Sequence, residues 1–93
     1  MEVRLTEEFV KLLNQQRLYI SQDKPKAAEI FKIEIMSLLR KIPLMPLANR
    51  KSTLFDDEYI REIIYKGYKI LYRIDPKRDI AEVFLLINQQ LKP

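Results

Sequence analysis

The sequence contains no cysteine and no histidine. The absence of cysteine excludes disulfides and thiolate chemistry, and it fits a reducing compartment such as the cytoplasm. The absence of histidine removes the usual general base and the commonest metal ligand. Acid–base chemistry would therefore depend on lysine, tyrosine, aspartate or glutamate, and a metal site would need carboxylates alone. We predict a cytoplasmic protein with no cofactor and no metal site.

Long apolar runs are also absent. No uninterrupted apolar stretch approaches the roughly 20 residues that span a bilayer. The opening residues, MEVRLTEEF, are charged and alternating, and they lack the apolar core of a signal peptide. We therefore expect a soluble, intracellular protein without a membrane partner.

The chain has 93 residues, of which 47% are hydrophobic. This length predicts a single domain over residues 1–93, and the hydrophobic content is enough for a modest core. The net charge of +4 gives a mild bias toward anionic partners, well short of a histone-like charge.

Apolar periodicity predicts an α+β fold with the order β-α-α-β-β-β. The two helices should form an antiparallel hairpin that packs on one face of a small, mainly antiparallel sheet. The last strand is the most apolar, so we expect it to be central or well covered. The predicted elements are strands at 2–5, 58–65, 68–74 and 80–87 and helices at 7–21 and 25–41.

The helix boundaries rest on specific residues. Thr6 is a candidate N-cap for the first helix. Pro25 is tolerated in the first turn of the second helix, with Asp23 as a plausible cap before it, and Pro43 ends that helix. Residues 43–55 fit no period and are predicted to form a loop. We expect this loop to be attached to the core by four apolar side chains, those of Leu44, Met45, Leu47 and Leu54.

The strongest local signal is the pair of alternating runs around Lys66-Gly67. If these two residues form the turn, Tyr65 faces Tyr68 and the register follows. The face richer in aromatic and aliphatic residues should carry the helices: Tyr59, Arg61, Ile63, Tyr65, Tyr68, Ile70, Tyr72 and Ile74. The other face should look outward, with Lys69 and Arg73 two residues apart: Ile60, Glu62, Ile64, Lys69, Leu71 and Arg73.

The residues alone leave two interpretations of this hairpin open. Its cations and tyrosines could bind an anionic partner. However, lysine and arginine alternating with apolar residues more often form a solvated sheet face, and tyrosines at period two more often belong to the core. The pair Arg50-Lys51 is likewise more often a solvated loop than a phosphate contact.

The hairpin sequence IREIIYKGYKILYRID, together with the order of elements, the Pro25-Lys26-Ala27-Ala28 start of the second helix and the proline-containing loop, resembles the RelE/ParE superfamily. These proteins are toxins of type II toxin–antitoxin systems, also called plasmid stabilisation proteins. The resemblance implies that the chain inhibits growth. RelE-like members cleave mRNA in the ribosomal decoding site, whereas ParE-like members inhibit DNA gyrase, and a small antitoxin neutralises both.

The resemblance transfers unevenly to a ribonuclease site. Lys69 matches the basic residue that helps to stabilise the transferring phosphate. Ile60 and Glu62 stand where the ribonucleases have two lysines. The ribonucleases also have an arginine, and then a tyrosine or histidine, just after the last strand. In this sequence Lys92 is the only cation there, and no tyrosine or histidine follows it. The catalytic pattern is therefore incomplete; its candidate residues are Lys69, Arg73, Glu62 and Lys92.

Three functional hypotheses follow. The first is a ParE-like toxin that binds an essential protein such as DNA gyrase. The second is a RelE-like, ribosome-dependent mRNA interferase, in which Glu62 would act as the base of a rearranged site. The third is a decayed, non-toxic module that keeps only antitoxin affinity. The candidate residues for binding the target or nucleic acid are Arg50, Lys51, Arg61, Lys69 and Arg73.

All three hypotheses predict the same partner, a cognate antitoxin that forms a hetero-oligomer with the chain. The antitoxin should add a helix or strand to the sheet edge and to the apolar rim of the helical hairpin. The candidate contacts are exposed Leu, Met and Tyr side chains: Leu44, Met45, Leu47, Tyr59, Tyr65 and Tyr68.

Overall fold

The computed structural model describes residues 1–89 and confirms the predicted α+β fold and the order of its elements. A short 3₁₀ turn at Ile42–Leu44 follows the second helix. The strands are β1 (Glu2–Leu5), β2 (Ile60–Tyr65), β3 (Tyr68–Asp75) and β4 (Ile80–Asn88), and the helices are α1 (Glu7–Ser21) and α2 (Pro25–Arg40).

The two helices begin differently. Thr6 caps α1 as predicted, because its Oγ1 accepts a hydrogen bond from the N–H of Phe9 at 3.1 Å. The predicted cap of α2 is wrong: Lys24 occupies the N-cap position and makes no side-chain hydrogen bond there. Asp23 lies one residue too early, because its N–H still bonds to the carbonyl of Ile20 in the turn that ends α1.

The sheet has the strand order β1-β4-β3-β2, so the apolar β4 is central as expected. β1 runs parallel to β4, and the other pairs are antiparallel. The predicted hairpin register is confirmed, with Tyr65 opposite Tyr68. Lys66 and Gly67 both have positive φ, 44° and 83°. Such a two-residue turn matches the twist of the flanking strands, which fixes which side chains share a face.

The core lies between the helical hairpin and one face of the sheet, as the sequence predicted. Phe9 and Leu13 point inward from α1, and Phe31, Ile35 and Leu39 point inward from α2. The sheet contributes a matching set of buried side chains: Ile63, Tyr68, Ile70, Tyr72, Ile74, Ala81, Val83 and Leu86.

The sequence predicts that the opposite face of the sheet, called here the outer face, looks outward, but this face is only partly open to solvent. Residues 50–55, called here the covering segment, run beside β2 and then lie across this face. The segment pairs with β2 through a bridge between Lys51 and Arg61 and a 2.9 Å bond from the N–H of Ser52 to the carbonyl of Ile60. Four residues of the predicted outward face are therefore buried, namely Ile60, Glu62, Lys69 and Leu71.

The predicted loop over residues 43–55 is held differently from the prediction. Leu44, Met45, Leu47 and Leu54 are exposed and do not attach it to the core. The apolar anchor is Ile42, which is buried at the start of the 3₁₀ turn that follows α2. The loop then crosses the end of the sheet, so its apolar side chains point away from the core and remain available to a partner.

Candidate functional site

Glu62 lies on the outer face of β2, the strand beside the covering segment, with its side chain completely buried. Its Oε2 atom is 2.5 Å from Nε and from Nη2 of Arg50, and 3.7 Å from Nζ of Lys69. Its Oε1 atom accepts a 3.3 Å hydrogen bond from the N–H of Thr53. The prediction that Glu62 and Lys69 look outward into solvent is wrong, because the covering segment lies over them and both charges belong to a buried cluster.

Lys69 is committed to this cluster. Its side chain is only 11% exposed, and Nζ donates a 3.0 Å hydrogen bond to Oγ1 of Thr53. A phosphate approaching Lys69 would meet both the covering segment and the negative charge of Glu62. The geometry therefore disfavours the phosphate-binding role that the resemblance suggests for Lys69, and equally the role of Glu62 as a base.

Arg73 remains on the surface of the outer face, with half of its side chain exposed. Its guanidinium lies 5.1 Å from the ring centre of Phe84 and 3.8 Å from the carboxylate of Glu82. A register shift in the β3–β4 pairing leaves Phe84 as an extra residue on this face, where its ring meets that of Phe55 edge-on. Arg73 is thus presented on an aromatic platform beside the covering segment.

Arg61 and Lys51 differ in their availability. Arg61 is mostly buried and folds back onto the backbone, donating to the carbonyls of Glu58 and Asn49 at 2.9 and 3.2 Å. Lys51 remains accessible and pairs with the exposed carboxylate of Asp56 at 3.1 Å. The five predicted target-binding cations therefore divide into an exposed group, Arg50, Lys51 and Arg73, and an internal group, Arg61 and Lys69.

An apolar groove lies at the end of the sheet away from the hairpin turn. Its volume is about 720 Å³. Loop residues 45–48 form one wall, and Tyr59, Ile74 and Pro76 form much of the other, with Met1 at one end. Three of the predicted antitoxin contacts, Met45, Leu47 and Tyr59, meet in this groove, which is referred to below as the end groove.

The loop wall of the end groove is fixed by one phenol. Tyr72 is fully buried in the core, and its hydroxyl donates a 2.6 Å hydrogen bond to the carbonyl of Pro46. The same oxygen accepts a 3.0 Å bond from Nδ2 of Asn49. Burial raises the pKa of Tyr72, an effect partly opposed by the Asn49 hydrogen bond and the charge of Arg61. A neutral phenol is what this arrangement needs, because only the protonated hydroxyl can donate to Pro46.

Tyr65 and Tyr68 do not reach the end groove. They lie at the hairpin turn, at the other end of the sheet, where the Tyr65 hydroxyl donates to Glu34 of α2. Tyr68 is buried and its hydroxyl donates to Gln16 at 3.1 Å, so its ring is not an available contact. Leu44 is exposed but does not line the groove.

A family model described as "ParE toxin of type II toxin-antitoxin system, parDE" matches residues 3–90. The chain belongs to the ParE toxin family. A comparison with curated proteins found no match for the chain. Membership of the family makes this protein a toxin of a type II toxin–antitoxin system, for which the family implies a cognate antitoxin.

The sequence did not reveal how this ParE-family toxin closes its outer face. The sequence pattern assigns Thr53, Asn49 and Pro46 to an ordinary loop, although each shares a hydrogen bond with a residue of the hairpin. The covering segment is too short for a periodic pattern to distinguish an edge strand from a loop.

Two further observations concern sites in this toxin. Within residues 1–89, no group of three carboxylates is arranged to hold a metal ion, and neither helix is long and apolar enough to cross a membrane. Lys92, the remaining catalytic candidate, lies outside the described residues.

The contribution of the Tyr65–Glu34 hydrogen bond to the stability of this toxin should depend on pH. Burial and the bond to Glu34 raise the pKa of Tyr65 to about 12, and hydrogen bonds from Tyr65 and Lys66 lower the pKa of Glu34. The pKa of Tyr65 is higher in the folded protein than the value of 10 expected in the unfolded chain. The protonated hydroxyl therefore stabilises the folded state fully below pH 10, and this stabilisation is lost as the pH rises through about 12. The pKa of Glu34 is lower in the folded protein than the value of 4.5 expected in the unfolded chain. The charged carboxylate therefore stabilises the folded state fully above pH 4.5, and this stabilisation is lost as the pH falls further.

Tyr65→Phe should therefore be less stable than the wild type at pH 7, with the difference shrinking between pH 10 and 12 and again below pH 4.5. Urea unfolding of both proteins across this range measures the effect. A difference that stays constant from pH 3 to 12 would show that the Tyr65–Glu34 bond is not linked to either ionisation and would contradict the prediction.

Proposed function

We propose that this toxin arrests growth by binding an essential protein, DNA gyrase, rather than by cleaving RNA. The observation that carries the proposal is the sequestration of Lys69 between Glu62 and Thr53. A general acid or base and positioned charge stabilisation each contribute about 10²–10⁴ to such rates. Lys69, the cation that matches the ribonuclease pattern, is neutralised inside the protein, so the chain is poorly equipped to cleave RNA. Binding to a protein target requires only an accessible surface.

The surface that fits a protein target is the outer face around the covering segment. Arg50 and Arg73 remain about half exposed there, and Leu54 and Phe55 provide apolar contact area between and beside them. Interfaces are enriched in arginine and aromatic residues because these combine directional donors with apolar area. An acidic surface on the target complements this arrangement.

We expect purified toxin to inhibit gyrase supercoiling at micromolar concentration and to leave translated messages uncut. The variant Arg50→Ala/Arg73→Ala should need at least about tenfold more protein, since a hydrogen bond to a charged group is worth about 1.5–3 kcal/mol. The control Lys11→Ala/Lys32→Ala removes two exposed helix cations and should inhibit like the wild type. Failure of the wild type to inhibit gyrase, or cleavage of messages that Lys69→Ala abolishes, would refute the proposal.

We further propose that a cognate antitoxin neutralises the toxin through the end groove and the edge of β1. The exposed side chains of Met45 and Leu47 give the groove an apolar wall. The covering segment occupies the edge of β2, whereas β1, at the other edge of the sheet, pairs only with β4 within residues 1–89. An extended or helical antitoxin segment matches these two features, and the resulting complex would be a cytoplasmic toxin–antitoxin hetero-oligomer.

A further inference from the structure

Glu62 joins the covering segment to the sheet by both its backbone and its side chain. Its N–H donates a 3.0 Å hydrogen bond to the carbonyl of Arg50, while its carboxylate accepts from the Arg50 guanidinium and from the N–H of Thr53. A buried carboxylate is retained only where partners compensate its lost hydration. The same residue therefore determines both the path of the segment and the position of the guanidinium at its start.

The position of the guanidinium matters because Arg50 is shared between the interior and the surface. Its Nε and Nη2 atoms face Glu62, yet 57% of the side chain is exposed. The guanidinium is a rigid planar fork, so fixing one edge orients the remaining Nη1 edge toward solvent. An arginine fixed in this way loses little rotamer entropy when a partner binds.

We propose that Glu62 is a positioning residue for target binding: it does not touch the target but orients Arg50 and the covering segment for it. This inference rests on the proposed function, in which Arg50 contacts the target. Lys69 completes the arrangement, because its Nζ bonds to Thr53 and balances part of the Glu62 charge. The internal cation thus supports the recognition surface instead of forming part of it.

The first arm of the test requires no target. Glu62→Gln keeps the size of the side chain and an acceptor for Thr53 but removes the charge that holds Arg50. Amide hydrogen exchange at Thr53 and Leu54 should accelerate at least about tenfold, while the amides of β3 and β4 keep their rates, since local opening is separate from global unfolding. Arg50→Ala, which acts from the exposed side, should produce the same local change even if Glu62→Gln folds poorly. Unchanged exchange in the variants overturns the inference.

The second arm measures inhibition of gyrase and, independently, growth arrest on induction. Glu62→Gln should weaken both about tenfold, as expected for loss of a charge-assisted hydrogen bond. The double variant Arg50→Ala/Glu62→Gln should be no weaker than Arg50→Ala alone, because the two residues act as one unit. The control Glu29→Gln, which removes an exposed carboxylate paired with Arg17, should behave like the wild type.

Antitoxin affinity separates positioning from general damage. A merely structural role of Glu62 predicts that antitoxin affinity and unfolding midpoint fall together with inhibition, and that outcome overturns the inference. Additive losses in the double variant, or full inhibition by Glu62→Gln despite faster exchange, overturn it as well. If the wild type arrests growth without inhibiting gyrase, the proposed target is wrong, while the exchange and growth comparisons still judge the role of Glu62.

Discussion

Replacing Met45 and Leu47 with glutamate is expected to leave the toxin active but to release it from its antitoxin. Both side chains line the end groove and are more than half exposed in the free toxin, at 67% and 53%. Because they contribute little to the core, the double variant should change the free energy of unfolding by no more than about 0.5 kcal/mol per site. Growth arrest by the variant alone should match that of the wild type.

The effect on the complex is expected to be large. Each apolar side chain that a partner buries contributes about 1.5–3 kcal/mol, and a carboxylate in its place must also be desolvated. A combined loss on the order of 3–6 kcal/mol corresponds to roughly 10²–10⁴ in the dissociation constant. Co-expression with the antitoxin encoded beside the toxin, followed by titration calorimetry, measures both consequences.

A matched pair on the helices distinguishes the groove from other surfaces. Leu18 and Ile33 are as exposed as the groove residues, at 60% and 64%, but lie on α1 and α2. Leu18→Glu/Ile33→Glu should retain neutralisation. Loss of neutralisation in this variant, with retention in the groove variant, would place the antitoxin on the helical hairpin and refute the assignment of the end groove.

The fold was predictable because its signals are local. The turn at Lys66-Gly67 sets the register of β2 and β3, and the register decides which side chains meet the helices. Three residues mark the helix boundaries through local chemistry: Thr6 before α1, Pro25 at the start of α2 and Pro43 just beyond its end. Each of these features is encoded within a few positions of where it acts.

The closure of the outer face was not predictable, because it depends on pairs distant in sequence. Arg50 and Glu62 are 12 residues apart, and no periodic pattern connects them. Without that contact, Glu62 beside Lys69 resembles an ordinary exposed pair. The covering segment changes the dielectric around both residues, and with it their role, although nothing in either residue's local sequence indicates the change.

The sequence predicts which face of the sheet each candidate site residue lies on, but not which end of the sheet it lies at. Alternation correctly assigned Tyr65, Tyr68 and Tyr72 to the helix-facing side. It could not show that Tyr65 and Tyr68 lie at the turn end of the sheet, whereas Tyr72 supports the opposite end. Hence the three tyrosines that alternation places on one face serve different parts of the molecule.

Substitutions of Tyr72 are expected to have the largest effect on stability. The ring is fully buried between the helices and the sheet, so Tyr72→Ala leaves a cavity and should cost about 3–5 kcal/mol. A domain of this size has a net stability of roughly 5–10 kcal/mol, so this variant should be close to unfolding at 37 °C. Tyr19→Ala, at an exposed position of α1, provides the matched control and should cost no more than about 0.5 kcal/mol.

Tyr72→Phe separates the hydroxyl from the ring. The ring still fills its site, but Pro46 and Asn49 lose their partner, which should cost about 1–2 kcal/mol. Those two residues belong to the loop that forms one wall of the end groove. Antitoxin affinity should therefore fall more than expected from a small loss of global stability alone. Urea unfolding and calorimetry on the same preparations compare the two losses. If Tyr72→Phe lowers stability but leaves antitoxin affinity intact, the loop is held by Ile42 and the covering segment, and the hydroxyl serves only the core.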